Sequence, residues 1–90
     1  MDANTIEILN TVTHTINMPK LSESNKEVKI NKWGKNIGDY IKRGDLIAVL
    51  ETEEFTVDFE SYSSGVLLYK GADNEGVLKI GEVLAVIGIY

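Results

Sequence analysis

Five carboxylates crowd one decade of the chain. Glu51, Glu53, Glu54, Asp58 and Glu60 fall within residues 51–60 with no base among them. Side chains of that type can bind a divalent cation through oxygen, or face a partner with a basic surface. Calcium and similar cations take six to eight oxygens, more than alternating residues such as Asp58 and Glu60 on one strand face supply, so no metal is expected. A like-charged patch steers encounter with an oppositely charged surface over about a Debye length. Glu51, Glu53, Glu54, Phe55 and Asp58 are therefore the expected partner-binding residues, and otherwise the decade serves solubility.

The other candidate chemistries are thin. His14 is the one histidine, set between threonines with no cysteine anywhere in the chain, so a histidine base or ligand lacks companions. Ser61, Ser63 and Ser64 precede Gly65 in a serine-rich turn without a GxSxG setting. Trp33 and Tyr40, Tyr62, Tyr69 and Tyr90 are expected to pack in the core, because large aromatics supply much of the burial in a small domain. No catalytic residue is assigned, and the chain by itself is expected not to be an enzyme.

The whole chain has 90 residues and a net charge of −5. One modest core fits that length, and a catalytic domain with a separate cofactor domain does not. Residues 1–50 sum to +1 and residues 61–90 to −1, so the acidic decade carries the imbalance. That sign argues against nucleic acid or an anionic membrane as partner. The N-terminal residues show no signal or lipidation pattern, which makes the cytoplasm the expected compartment.

Short stretches rich in β-branched and aromatic residues position these groups: Thr11 to Met18, Val28 to Trp33, Leu46 to Leu50, Phe55 to Phe59, Val66 to Tyr69 and Val83 to Ile89. Glycine, asparagine, aspartate and serine separate them, which predicts an all-β domain. Residues 11–90 form the expected domain, and residues 1–10 an arm with at most one helical turn over Asn4 to Leu9. At an offset of 37 residues, YIKRGDLIAVL (40–50) aligns with VLKIGEVLAVI (77–87). Lys42, Gly44, Ala48 and Val49 are identical to Lys79, Gly81, Ala85 and Val86, and only Arg43 against Ile80 clashes in character. Two copies predict two similar half-sheets closing one core, a sandwich or flattened barrel. The ETEEF run then forms a tight turn with Glu53 and Glu54 at its tip, and its mate is expected near Ile87 to Tyr90 and Met18 to Ser22.

MPKLSES (18–24), Val28 to Trp33, Gly38-Asp39, Gly44-Asp45, ETEE from Glu51, VDFES from Val57, Gly65 and Gly81 with LAVIG occur in one order over residues 14–89. In this the chain resembles the lipoyl and biotinyl carrier domains, most closely the lipoyl domain of the acyltransferase component of 2-oxo acid dehydrogenase complexes. The resemblance implies a flattened β-barrel of two four-stranded antiparallel sheets with a pseudo-twofold axis. It also implies a lysine at the hairpin tip that takes a lipoyl group in amide linkage. The position matching that lysine is Glu54. A carboxylate is a weak nucleophile and would give a labile anhydride, so no cofactor is expected on this chain although the family's is lipoate. Phe55 replaces a usually small residue, Val28 a common glycine, and the methionines that flank biotinyl sites are missing.

The resemblance thus implies a non-lipoylated interaction or spacer module, with other components of a 2-oxo acid dehydrogenase complex, or another basic protein, as partner. The alternative is an acyl-carrying swinging-arm domain in which Glu54 is a variant or engineered change. A third option, a segment of a membrane-fusion adaptor, is disfavoured by the short turn at the tip.

Overall fold

The computed structural model describes residues 12–89. Eight strands follow one another: β1 (Val12–Asn17), β2 (Glu27–Trp33), β3 (Tyr40–Ile41), β4 (Leu46–Glu51), β5 (Thr56–Glu60), β6 (Gly65–Lys70), β7 (Val77–Lys79) and β8 (Val83–Ile89). They form two four-stranded antiparallel sheets, ordered β1-β8-β6-β3 and β5-β4-β2-β7. The all-β, two-sheet barrel expected from the sequence is the fold observed. The arm over residues 1–10, with its possible helical turn, and Tyr90 lie outside the described residues. Among the described residues no helix is long and apolar enough to cross a membrane.

The two sheet orders map onto each other when β1, β8, β6 and β3 are matched to β5, β4, β2 and β7. This is the structural content of the 37-residue repeat. Gly44 and Gly81 take the same left-handed conformation, φ +91° and +90°, which a Cβ disfavours. Each turn closes identically: the amide of Asp45 donates to the Lys42 carbonyl and that of Glu82 to Lys79. The carboxylates reciprocate, Asp45 accepting from the Lys42 amide at 2.9 Å and Glu82 from the Lys79 amide at 2.7 Å. The clash in the repeat also has its reason. Arg43 is exposed and donates through Nε to the Tyr62 carbonyl, whereas Ile80 packs against the core.

The symmetry supports one half of the predicted mate of the hairpin tip, near Ile87, and corrects the other, near Met18 to Ser22. The amide of Gly44 donates to the Ser61 carbonyl and that of Gly81 to Met18. Met18 is thus the counterpart of Ser61, and the pair equivalent to Glu51↔Thr56 is Gly88↔Thr13, within the Ile87-to-Tyr90 part of the expectation.

Between the sheets Met18, Val28, Ile30, Ile41, Ile47, Leu50, Leu67, Leu84 and Ile87 are almost completely buried. Trp33 is buried as expected, its indole Nε1 donating to the Ala72 carbonyl at 2.8 Å. The described tyrosines are not. Tyr40, Tyr62 and Tyr69 are 58%, 78% and 49% exposed, correcting their assignment to the core. Tyr40 is paired with half-buried Val66 rather than with a core residue, Tyr69 follows a register shift in β6, and Tyr62 sits in the β5–β6 turn. A shift at Ile16/Asn17 likewise ends β1 one residue before Met18, and Val12 at the strand's start is exposed.

The Asp45 turn carries a pH dependence. The Lys42 backbone hydrogen bond, with Lys35 at 3.3 Å adding to it, holds the Asp45 carboxyl below its ordinary value of 3.8. A depressed carboxyl contributes stability that is present above its unfolded value and lost as pH falls through its folded one. Asp45→Asn is therefore expected to melt below wild type at neutral pH. Thermal melts should show that gap closing as pH falls from the ordinary value of 3.8 through the lower value of the folded carboxyl; a gap constant with pH would exclude the assignment.

Candidate functional site

The hairpin between β4 and β5 is where the chain spends its acidic decade. Its ladder runs from Leu46↔Glu60 through Val49↔Asp58 to Glu51↔Thr56. Beyond that, the Thr52 amide donates to the Phe55 carbonyl at 2.9 Å, leaving Glu53 and Glu54 as the two corner residues. Threonine at the first position sets the turn. Its Oγ1 accepts from the amides of Glu54 (3.3 Å) and Phe55 (3.2 Å), a local side-chain cap on amides the ladder does not use. Glu53, Glu54 and Phe55 are all exposed, as the ETEEF turn predicts.

Glu54 is nevertheless not a loose side chain. The hydroxyl of Ser24, in the loop between β1 and β2, donates to its Oε1 at 2.8 Å. That loop is itself ordered by Asn25, whose Oδ1 accepts from the Ser22 amide (2.7 Å) and hydroxyl (3.0 Å). Glu51 is anchored as well, accepting from Asn31 Nδ2 at 2.8 Å. Among the described residues Glu53 has neither hydrogen bond nor ion pair through its carboxylate. Asp58 and Glu60 stand apart from the tip, exposed on the outward face of β5.

The loop and the hairpin border a cleft of about 630 Å³, with Ser24, Lys26, Glu27 and Lys29 on one side, Glu51 to Glu54 on the other and Val77 beside them. Lys26 and Lys29 lie far from the tip along the chain and are not among the candidate residues read from the sequence. The cue was the antiparallel pairing that sets Lys29 opposite Glu51. Lys29 is committed elsewhere, its Nζ lying 2.6 Å from Glu75 Oε2. That hydrogen bond and charge, helped by Glu51, raise its pKa above the usual lysine value. Glu75 reaches it from a left-handed backbone position, φ +71°.

A group held in amide linkage needs an amine at the apex. The apex offers the Thr52 hydroxyl and the carboxylates of Glu53 and Glu54, and no lysine stands between Lys42 and Lys70. The lipoyl group implied by the resemblance does not fit these residues. Among the described residues no cluster of three or more histidines or carboxylates is arranged to hold a metal ion.

Comparison with known proteins places this geometry. The family described as "Biotin-requiring enzyme" (biotin/lipoyl) matches residues 14–87. The dihydrolipoyllysine-residue succinyltransferase component of the 2-oxoglutarate dehydrogenase complex of Bacillus subtilis is 35% identical over 72 residues, 80% of this chain and 17% of that protein. The dihydrolipoyllysine-residue acetyltransferase component of the acetoin cleaving system of Pseudomonas putida is 36% identical over 74 residues, 82% of this chain and 20% of that protein. The chain thus spans a fifth or less of the length of these relatives. Its fold matches the solution structure of the lipoyl domain of the 2-oxoglutarate dehydrogenase complex from Azotobacter vinelandii with TM-score 0.70 at 24% identity, over 84% of this chain and 95% of that one. From the matched residues and the paired four-stranded sheets together, the chain belongs to the biotin/lipoyl family and has the fold of a lipoyl domain.

Proposed function

We propose that this chain is a lipoyl-type domain that carries no lipoyl group and works by docking to other components of a 2-oxo acid dehydrogenase complex. One observation carries the reading: at the apex of the hairpin, the position that resembles the lipoyl-lysine holds Glu54, whose carboxylate is hydrogen-bonded to Ser24. A swinging arm requires a nucleophilic amine, and this side chain has none. What remains is an acidic surface made of Glu51, Glu53 and Glu54, with Phe55 beside them and Asp58 below on β5. Charges at the rim of an interface act mainly on association rate and salt dependence. No step of catalysis is assigned to the chain.

Titration of the chain against the purified decarboxylase component of such a complex tests the docking. Binding should weaken steeply with salt, and Glu53→Gln with Glu54→Gln should weaken it several-fold at low salt, mostly through a slower on-rate. Affinity indifferent to both salt and the two neutral isosteres would defeat the reading.

A further inference from the structure

Among the described residues β5 pairs with β4 alone, so one side of the strand is an open sheet edge. On such an edge alternate N–H and C=O groups lack ladder partners and form a template for another strand. Natural sheets usually blunt this liability, and two of the other three edges here are too short to matter, β3 having two residues and β7 three. β5 is five residues long and contains no proline and no lysine. Its side chains alternate: Thr56, Asp58 and Glu60 are exposed, while Val57 and Phe59 are half-buried opposite Leu50 and Ala48 of the core.

The two carboxylates sort the strands that could add there. A second copy of β5 would bring Asp58 and Glu60 against like charges, which is destabilising for directly opposed cross-strand pairs. An acidic strand is excluded for the same reason. A strand with lysine or arginine at alternate positions instead places a cation about 5 Å from each carboxylate on the outward face, and its intervening residues meet Val57 and Phe59. The same charges therefore close the edge to self-association and open it to a basic, apolar-alternating segment, attraction and rejection acting together as specificity requires. The next carboxylates, Glu53 and Glu54, lie at the tip just beyond the N-terminal end of β5, so a segment along the strand would meet acid near both of its ends.

We propose that the free edge of β5 receives an extended basic segment of a partner protein by strand addition, with main-chain hydrogen bonds supplying affinity and Asp58 and Glu60 supplying selectivity. The proposal rests on the docking reading above and gives it a place and a partner chemistry.

The test uses the ¹⁵N-labelled chain and three end-capped peptides: a Lys-Val hexapeptide alternating the two residues, its fully N-methylated form, and the Glu-Val counterpart. Strand addition predicts that the Lys-Val peptide slows amide exchange within residues 56–60. Its N-methylated form, equal in charge but unable to donate, should bind at least about tenfold more weakly, the effect of losing one or two net hydrogen bonds. The Glu-Val peptide should not bind, and Asp58→Asn with Glu60→Gln should weaken the Lys-Val peptide. Equal binding of the methylated peptide, with shifts at Glu53 and Glu54 only, overturns strand addition and leaves electrostatic docking standing. Failure of the Lys-Val peptide to bind, or protection confined to strands other than β5, also overturns it, while the salt titration of the decarboxylase still decides the docking reading separately.

Discussion

A Gly71→Ala chain is expected to lose about 3 kcal/mol of stability, near the upper end of what overpacking a well-filled interior costs. Gly71 follows β6 and lies against β8, its amide donating to the Leu84 carbonyl at 2.7 Å. A Cβ there would run into the Val83 carbonyl oxygen and stand 3.0 Å from Leu78 Cδ1. Backbone cannot yield as a flexible side-chain end does. The strand must move away, and the hydrogen bond to Leu84 goes with it, which adds about 1 kcal/mol for a buried pair. In a domain of this size, each kcal/mol lowers the melting temperature by about 4–8 °C, so thermal unfolding should show a drop of more than about 10 °C. A drop of only a degree or two would mean that the chain does not approach β8 so closely. Gly34 is the repeat's mate of Gly71, its amide donating to the Ile47 carbonyl and the place of a Cβ taken up by the Leu46 carbonyl oxygen, so Gly34→Ala should fail in the same manner.

The second large effect is a gain. Replacing Glu54 with lysine is expected to convert a chain that is not modified into one that takes a lipoyl group almost completely when co-expressed with a lipoate ligase. Thr52, not the residue at 54, sets the turn through its Oγ1, so the two-corner hairpin survives the change. Glu53 then precedes the new lysine at the apex. The substitution also removes the acceptor of the Ser24 hydroxyl, freeing the side chain to leave the loop. Reductive acylation of the modified Glu54→Lys chain by the decarboxylase would show that the rest of the surface still supports a carrier. A folded Glu54→Lys chain that stays unmodified would assign the loss of carrier chemistry to more than one residue, with Phe55 as the first suspect.

Much of the architecture was open to sequence reasoning because it is written twice. The match of 40–50 with 77–87 reflects real pairs of turns, since Gly44 and Gly81 share both φ and their bonded carboxylates. The longest strands were readable from β-branched alternation. β3 and β7 were not, since two and three residues are too few to show a period of two. Gly34 and Gly71 could be seen as matching glycines, yet the close carbonyls come from Leu46 and Val83, twelve residues further on in each case. Tyrosine misled because hydrophobic area alone does not say which face of a sheet a residue occupies, and the shift between Leu67 and Tyr69 changes the face.

The tip of the site was legible for a different reason. Glu53 and Glu54 lie between two strands that pair in register, so the turn had to expose them. The bond from Ser24 to Glu54 joins residues 30 apart through an irregular loop, and no periodicity announces such a contact. Lys26 and Lys29 were hidden by the same distance in sequence, although the antiparallel pairing of β2 with β4 makes the second of them inevitable.

Everything functional in this account depends on what the hairpin apex can hold. Intact mass of the wild-type chain, purified after co-expression with a lipoate ligase that modifies the Glu54→Lys chain in parallel, addresses that directly. The mass of the unmodified polypeptide alone is the result expected for wild type. A lipoyl adduct on any residue of the wild-type chain, Lys26 in the neighbouring cleft included, would contradict it.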